Sequence, residues 1–134
     1  LGIDTAGELA KSPFRGALFE GFLASEIAKA QLNAGKRREL YFFRDEQGLE
    51  VDFLVPGRSG SVRLVECKAS RTVTPAMAGP MRRLVDALKS RRPKGTRFEM
   101  HLVHEAPRAG TATEAVAPGV RAQPWKEFVA NLEV

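Results

Sequence analysis

Glu50-Val51-Asp52-Phe53-Leu54-Val55 and, after the break Pro56-Gly57-Arg58-Ser59-Gly60-Ser61, Val62-Arg63-Leu64-Val65-Glu66-Cys67-Lys68-Ala69 are the stretches whose reading decides the fold. Side chains of an extended strand alternate between its two faces. On the first stretch, Glu50 and Asp52 are therefore expected to share one face and Val51, Phe53 and Val55 the other. On the second, Glu66 and Lys68 point to one side while Val65 and Cys67 point away. Val62, Leu64 and Val65 make that strand apolar on both faces, the pattern of a strand covered on each side. A charged pair inside such a strand is expensive to bury without partners. If the two strands pair as a meander, Asp52, Glu66 and Lys68 converge.

The surrounding sequence supplies the frame. Glu39–Arg44 reads as an aromatic, apolar strand, and the turn-rich Asp45-Glu46-Gln47-Gly48 joins it to the strand Leu49–Val55 as a hairpin. Upstream, residues 1–11 are short, mixed and without period. Ser12-Pro13 reads as an N-cap followed by proline at the first helical position. From Phe14 to Ala34, Phe14, Leu18, Phe19, Phe22, Leu23, Ile27 and Ala30 recur at helical steps, with a stop at Asn33-Ala34-Gly35. Downstream, Thr74 caps a helix from Pro75 whose buried stripe is Met77, Met81, Leu84, Val85 and Leu88, with Arg82, Arg83, Asp86 and Lys89 opposite. Pro93-Lys94-Gly95 ends it, and Phe98–His104 is a fourth strand. A loop to about Gly119, a short strand near Val120–Ala122 and a last helix from Pro124 carrying Trp125, Phe128, Val129 and Leu132 complete the chain. The predicted order is α-β-β-β-α-β with a small tail, an α/β fold in a single domain over residues 1–134.

Composition bounds the function classes. With 134 residues, 43% hydrophobic and 28% charged, the chain is one domain's worth and buries roughly two-thirds of its unfolded surface. It is too apolar for general disorder, and no run approaches the length of a membrane-spanning helix. A lone cysteine, Cys67, and the absence of a basic-then-apolar signal peptide point to a reducing, cytoplasmic setting with no membrane partner. The opening Leu1-Gly2-Ile3-Asp4, without an initiator Met, reads as part of a larger protein. Net charge is +5, and the window from Arg82 to Arg97 alone carries seven cations against Asp86. A basic cluster on a nearly neutral body attracts polyanions such as DNA, or is simply a solvated helix end.

The acids suggest a chemistry. Hard divalent cations take oxygen ligands, and Mg²⁺ is commonly held by one or two carboxylates plus water and substrate phosphate. Asp52 and Glu66 supply such oxygens, with the Cys67 backbone carbonyl as a third. A metal there activates water and stabilises charge on a phosphodiester, and Lys68 beside it is placed to orient water or neutralise developing charge. The plainer alternatives are an Asp52–Lys68 salt bridge, Glu50 as a hairpin charge, Glu20 as an ordinary surface carboxylate, and Cys67 as a small buried side chain. His101 and His104 face opposite sides of their strand, which argues against a shared metal.

These residues carry a resemblance. Asp52, thirteen intervening residues, then Glu66-x-Lys68 resembles the motif of the PD-(D/E)XK nuclease superfamily, whose core order is also α-β-β-β-α-β. More narrowly, Gly16-Ala17-Leu18-Phe19-Glu20-Gly21-Phe22, Tyr41-Phe42-Phe43-Arg44, Gly48-Leu49-Glu50-Val51-Asp52-Phe53 and Glu66-Cys67-Lys68 resemble the DUF4143 domain, over roughly residues 1–105. The resemblance implies a restriction-endonuclease-like core with a central mixed sheet flanked by helices, and a C-terminal position in an AAA+-type ATPase whose upstream domain is a partner. It also implies Mg²⁺ or Mn²⁺ held by Asp52 and Glu66 with support from Glu20, and Lys68 acting on water or the transition state. The helical wheel does not single out Glu20, and Glu26 lies nearer the middle of the apolar stripe. Lys36, Arg37, Arg38, Arg71, Arg82 and Arg83 are candidate phosphate contacts. No Gly-x-x-x-x-Gly-Lys-Ser/Thr occurs, so these residues hold no ATP site. The sequence leaves oligomeric state open.

Overall fold

A computed structural model describes residues 2–105 and 114–132. Its elements run α1 (Ala6–Lys11), α2 (Arg15–Asn33), β1 (Tyr41–Arg44), β2 (Glu50–Pro56), β3 (Ser61–Lys68), α3 (Gly79–Leu88), β4 (Arg97–His104), β5 (Glu114–Ala117), β6 (Val120–Pro124) and α4 (Trp125–Ala130). The six strands form one sheet in the order β1-β2-β3-β4-β6-β5. β1–β2, β2–β3 and β5–β6 are antiparallel, whereas β3–β4 and β4–β6 are parallel. The expected mixed α/β sheet flanked by helices is what the chain forms.

The sheet divides the core into two layers. On one side, α2 and α4 bury Leu23, Ile27 and Phe128 against Phe53, Val55, Val65, Cys67 and Val103. On the other, α3 buries Met81 and Leu84 against Leu49, Val51, Leu64 and Leu102. Leu64 and Val65 thus face opposite layers, which is why β3 is apolar on both faces. Its register with β4 runs from Ser61↔Arg97 to Lys68↔His104. The hairpin turn forms as read: the Asp45 side chain accepts from the Gln47 and Leu49 N–H groups at 2.9 and 2.8 Å, and Gly48 takes φ +81°, a conformation glycine adopts without steric penalty.

Several expectations need correction. Residues 1–11 include α1, held by a capping box in which the Glu8 N–H donates to Thr5 Oγ1 at 3.2 Å and the Thr5 N–H to Glu8 Oε2 at 2.9 Å. Ser12 does not cap the long helix. Its Oγ accepts from the Phe14 N–H at 3.1 Å in the turn before α2, which begins at Arg15. Within α2 a single row, Phe19, Leu23, Ile27 and Gln31, is buried, while Phe14, Leu18 and Phe22 of the predicted stripe stay largely exposed. The sheet is met by only one edge of the stripe, and Phe22 instead stacks edge-on against Trp125 at 4.8 Å. Gln31, polar on the core face, is satisfied by the Glu39 N–H and C=O, tying the end of α2 to the connector before β1, which begins at Tyr41 and not at Glu39 as expected. Thr74 heads a 3-10 turn, Pro75–Ala78, that leads into α3, and its side chain makes no capping bond. The loop expected up to Gly119 lies partly outside the described residues, and its last part is strand β5. The Ala-rich segment gains its extended form from pairing with β6 across a turn at Gly119, where φ is +75°.

Alternation also fails once on β2. Val51 packs in the α3 layer, while Phe53 and Val55 pack in the α2 layer, so the three do not share a face. The β1–β2 register shifts at this point: Tyr41 pairs with Leu54 but Phe43 with Val51, leaving an extra residue on β2 between them. The irregularity sits at Asp52-Phe53.

Leu23 is fully buried, whereas Phe14 is 51% exposed. We expect Leu23→Ala to lower the unfolding free energy by roughly 2–5 kcal/mol. Phe14→Ala should cost clearly less, and urea denaturation of the two variants checks the order.

Candidate functional site

β2 and β3 pair in regular register up to Phe53↔Val65. Beyond that point the Cys67 N–H is taken by a side chain, donating to Asp52 Oδ2 at 2.7 Å. The irregularity of β2 thus holds a carboxylate against the neighbouring strand. Burial pushes the Asp52 carboxyl above its ordinary range, and Glu50 adds to this. The Cys67 N–H and Lys68 oppose it.

Glu66 lies one residue before that amide and is only 5% exposed. Its Oε1 accepts from Lys68 Nζ at 2.7 Å, and its Oε2 is buried with no hydrogen-bond partner. Burial is the main force raising its pKa to about 7. The bond to Lys68 works against that rise, and the charges of Asp52 and Glu50 reinforce it. Burial by itself depresses the half-buried Lys68, yet the bond to Glu66 and the charges of Glu66 and Asp52 lift it above its usual value. The ion pair of Lys68 is with Glu66, so the alternative of an Asp52–Lys68 salt bridge gives way to this one.

Glu20 projects from α2 toward the same group. Its carboxyl is raised by burial, then by Asp52 and Glu50, with Lys68 opposing. Glu20, Glu50 and Asp52 line a cavity of about 310 Å³ together with Leu40, Tyr41, Phe42 and Phe53. Lys68 acts on Glu20 and Asp52 electrostatically, and Asp52 and Glu50 act on Glu66, but neither Glu66 nor Lys68 lines that cavity. Glu50, read from sequence as a hairpin charge, does sit 3.8 Å from Arg44, yet it also belongs to the acid group. Its position two residues before Asp52 on one strand was the available signal. Glu26 pairs instead with Lys29.

Contrary to expectation, Cys67 does not stand clear of the acids: it lies in the α2-side core, and burial, reinforced by the charges of Asp52, Glu20 and Glu66, pushes its thiol well above the ordinary value. That leaves it an unreactive thiol. His101 packs against Phe128 at 5.5 Å, and burial draws its pKa down to about 4. His104 Nδ1 meets the Glu105 carbonyl oxygen at 2.7 Å. Among the described residues no three His, Cys, Asp or Glu side chains stand grouped as a ready metal cage.

The candidate phosphate contacts are all exposed, but they do not form one surface. Lys36, Arg37 and Arg38 lie on the connector from α2 to β1, and Arg71 follows β3. Arg82 and Arg83 are on the outer face of α3, across the sheet from α2. Among the described residues no helix is long and apolar enough to cross a membrane.

Residues 15–115 match the family described as Domain of unknown function (DUF4143). The chain belongs to the DUF4143 family. The match spans α2 through the first residues of β5, and so includes all four acids and Lys68. Neither the curated proteins nor the solved structures contain a match to this DUF4143 chain.

The raised pKa of Glu66 has a consequence for stability. A carboxyl near 7 in the folded state and near 4.5 unfolded binds more protons when folded, so stability is greatest below 4.5 and falls as pH rises toward 7. In EDTA, Glu66→Gln should remove roughly 2–3 kcal/mol of that fall, since each tenfold difference in proton affinity is worth about 1.4 kcal/mol. Chemical unfolding of both proteins at pH 5 and pH 8 measures the difference.

Proposed function

We propose that this domain is a restriction-endonuclease-like nuclease of the PD-(D/E)XK type, hydrolysing phosphodiester bonds in DNA with Mg²⁺ or Mn²⁺. The observation that carries the reading is the electrostatic coupling of Glu20, Asp52 and Glu66 to one another's neighbourhood: Glu50 and Lys68 act on all three. Burial and mutual repulsion raise Glu20, Asp52 and Glu66 together. Such a group holds more carboxyls than cations, and perturbed carboxyls of this kind concentrate at functional sites. The element order α2-β1-β2-β3-α3-β4 supports the fold-level part of the reading.

The donor chemistry suits a hard cation, although among the described residues the side chains alone do not form a group of three around one point. It offers oxygens only, and the buried, unpartnered Glu66 Oε2 is an acceptor without a donor. Asp52 and Glu66 would hold the ion with the Cys67 carbonyl, water would fill the remaining positions, and Glu20 would support it from α2. When bound, the ion supplies Lewis-acid stabilisation and a lowered water pKa. The chain's own contribution is positional. The Cys67 N–H fixes the Asp52 carboxylate. Lys68, protonated and tethered to Glu66, offers a cationic donor for charge developing on the phosphate. Lys36, Arg37, Arg38, Arg71, Arg82 and Arg83 are proposed phosphate contacts. The residues on opposite layers would reach different stretches of backbone.

A second reading is a catalytically silent module of the same fold that binds DNA or a protein partner. It is favoured by Glu66 and Lys68 standing apart from the Glu20–Glu50–Asp52 cavity, and by an Asp52 oxygen already engaged. In either reading the domain is proposed to serve an AAA+-type ATPase. This chain has no P-loop, so ATP hydrolysis would reside in other sequence. A cytoplasmic setting belongs to the same proposal.

Incubation with linear, supercoiled and branched DNA in Mg²⁺ or Mn²⁺ decides between the readings. We expect cleavage by the wild type, abolished by EDTA and reduced roughly a hundredfold or more by Lys68→Ala or Asp52→Asn. If no substrate is nicked, or Lys68→Ala cuts equally well, catalysis is refuted. Salt-sensitive DNA binding without cleavage establishes the silent module.

A further inference from the structure

The segment Lys36-Arg37-Arg38-Glu39-Leu40-Tyr41-Phe42-Phe43-Arg44 runs from the end of α2 into β1, an edge strand of the sheet. Its composition is unusual for such a place. Lys36, Arg37, Arg38 and Arg44 are exposed, and so are two aromatics, Tyr41 at 56% and Phe42 at 75%. Leu40 and Phe43 already anchor the segment in the two core layers, so burial does not account for Tyr41 and Phe42. Both residues line the cavity that holds Glu20, Glu50 and Asp52. Exposed cations followed in sequence by exposed rings that line a polar cavity are the two components a single-strand binding surface needs. The cations track a phosphate backbone, and the rings stack on bases that have left their partners. A paired duplex keeps its base faces covered and has no use for such rings.

We propose that Tyr41 and Phe42 are a base-stacking platform that makes this site select DNA with unpaired nucleotides beside the Asp52 cavity. The proposal rests on the nuclease-fold reading for the identity of the polymer and adds its form: a single strand, flap or gap rather than an intact duplex. Phe42, the more exposed ring, carries the larger share. Lys36, Arg37 and Arg38 hold the phosphates that lead toward it, and this contribution is screened by salt.

The test uses the whole chain in EDTA, so that binding is read without cleavage. Fluorescence anisotropy compares a labelled 20-nucleotide oligo(dT) with a blunt duplex of about the same length. We expect the single strand to bind roughly tenfold more tightly, Phe42→Ala to weaken it about tenfold, and Phe42→Trp to restore it, as stacking on a ring requires. Duplex binding should change less than about twofold in each variant. Tyr41→Ala should weaken the single strand by a smaller factor, and thermal melts confirm that each exposed substitution leaves the fold intact. Equal affinity for both DNA forms, or an unchanged single-strand affinity in Phe42→Ala, overturns the platform. Cleavage in Mn²⁺ is scored separately. A protein that cuts duplex and single strand alike keeps the nuclease reading and loses the platform. One that grips single strands through Phe42 but cuts nothing keeps the platform and loses catalysis.

Discussion

A carboxylate with almost no solvent contact, Glu66, sits in the strand that both core layers share, and the rest of the site is arranged around that burden. Burying an ionised carboxyl costs several kcal/mol unless partners repay it. Lys68 repays part, from two residues along the same strand, and the second oxygen is left without a donor. A stability-driven sequence would place a hydrophobic residue here, as it does at Leu64 and Val65 on either layer. The site therefore subtracts from stability, a pattern expected where a residue serves chemistry or binding.

The same strand explains how Asp52 is brought into range. Regular pairing of β2 with β3 would have used backbone groups alone. The extra residue on β2 instead lets a side chain accept the Cys67 N–H, while Val51 and Phe53 turn into different layers. One local departure from the ladder thus satisfies an amide, splits the hydrophobic residues between two cores and points an acid toward Glu20 on α2. The charges then influence one another: Glu20, Asp52 and Glu66 are each pushed toward the neutral form by burial and by neighbouring acids.

The outer surface divides along the sheet. The α3 layer presents Arg82 and Arg83, and the opposite layer meets the acid cavity and the connector from Lys36 to Arg38. Basic residues that sequence reading grouped as one set of phosphate contacts are separated in space by the sheet. Charge counted along a sequence is not charge counted on a face.

The long amphipathic helix, the hairpin at Asp45–Gly48, the doubly apolar β3 and the pairing of Glu66 with Lys68 on one side are legible from the residues alone, because they depend on local periodicity and turn chemistry. The capping box at Thr5 and Glu8 was equally local and readable, and only its short length hid the helix it starts. Other features have no local signature. Strand β5 exists because β6 lies beside it, and Phe14, Leu18 and Phe22 are left outside because the sheet meets only one edge of α2. Glu50 joins the acids because α2 closes over β2. The kink at Asp52 is likewise fixed by pairing with β1 and β3. Local sequence determined most of the elements and the residue types available for chemistry. Tertiary packing decided which faces meet, because that depends on how the layers stack and where a ladder breaks, neither of which is a property of neighbouring residues.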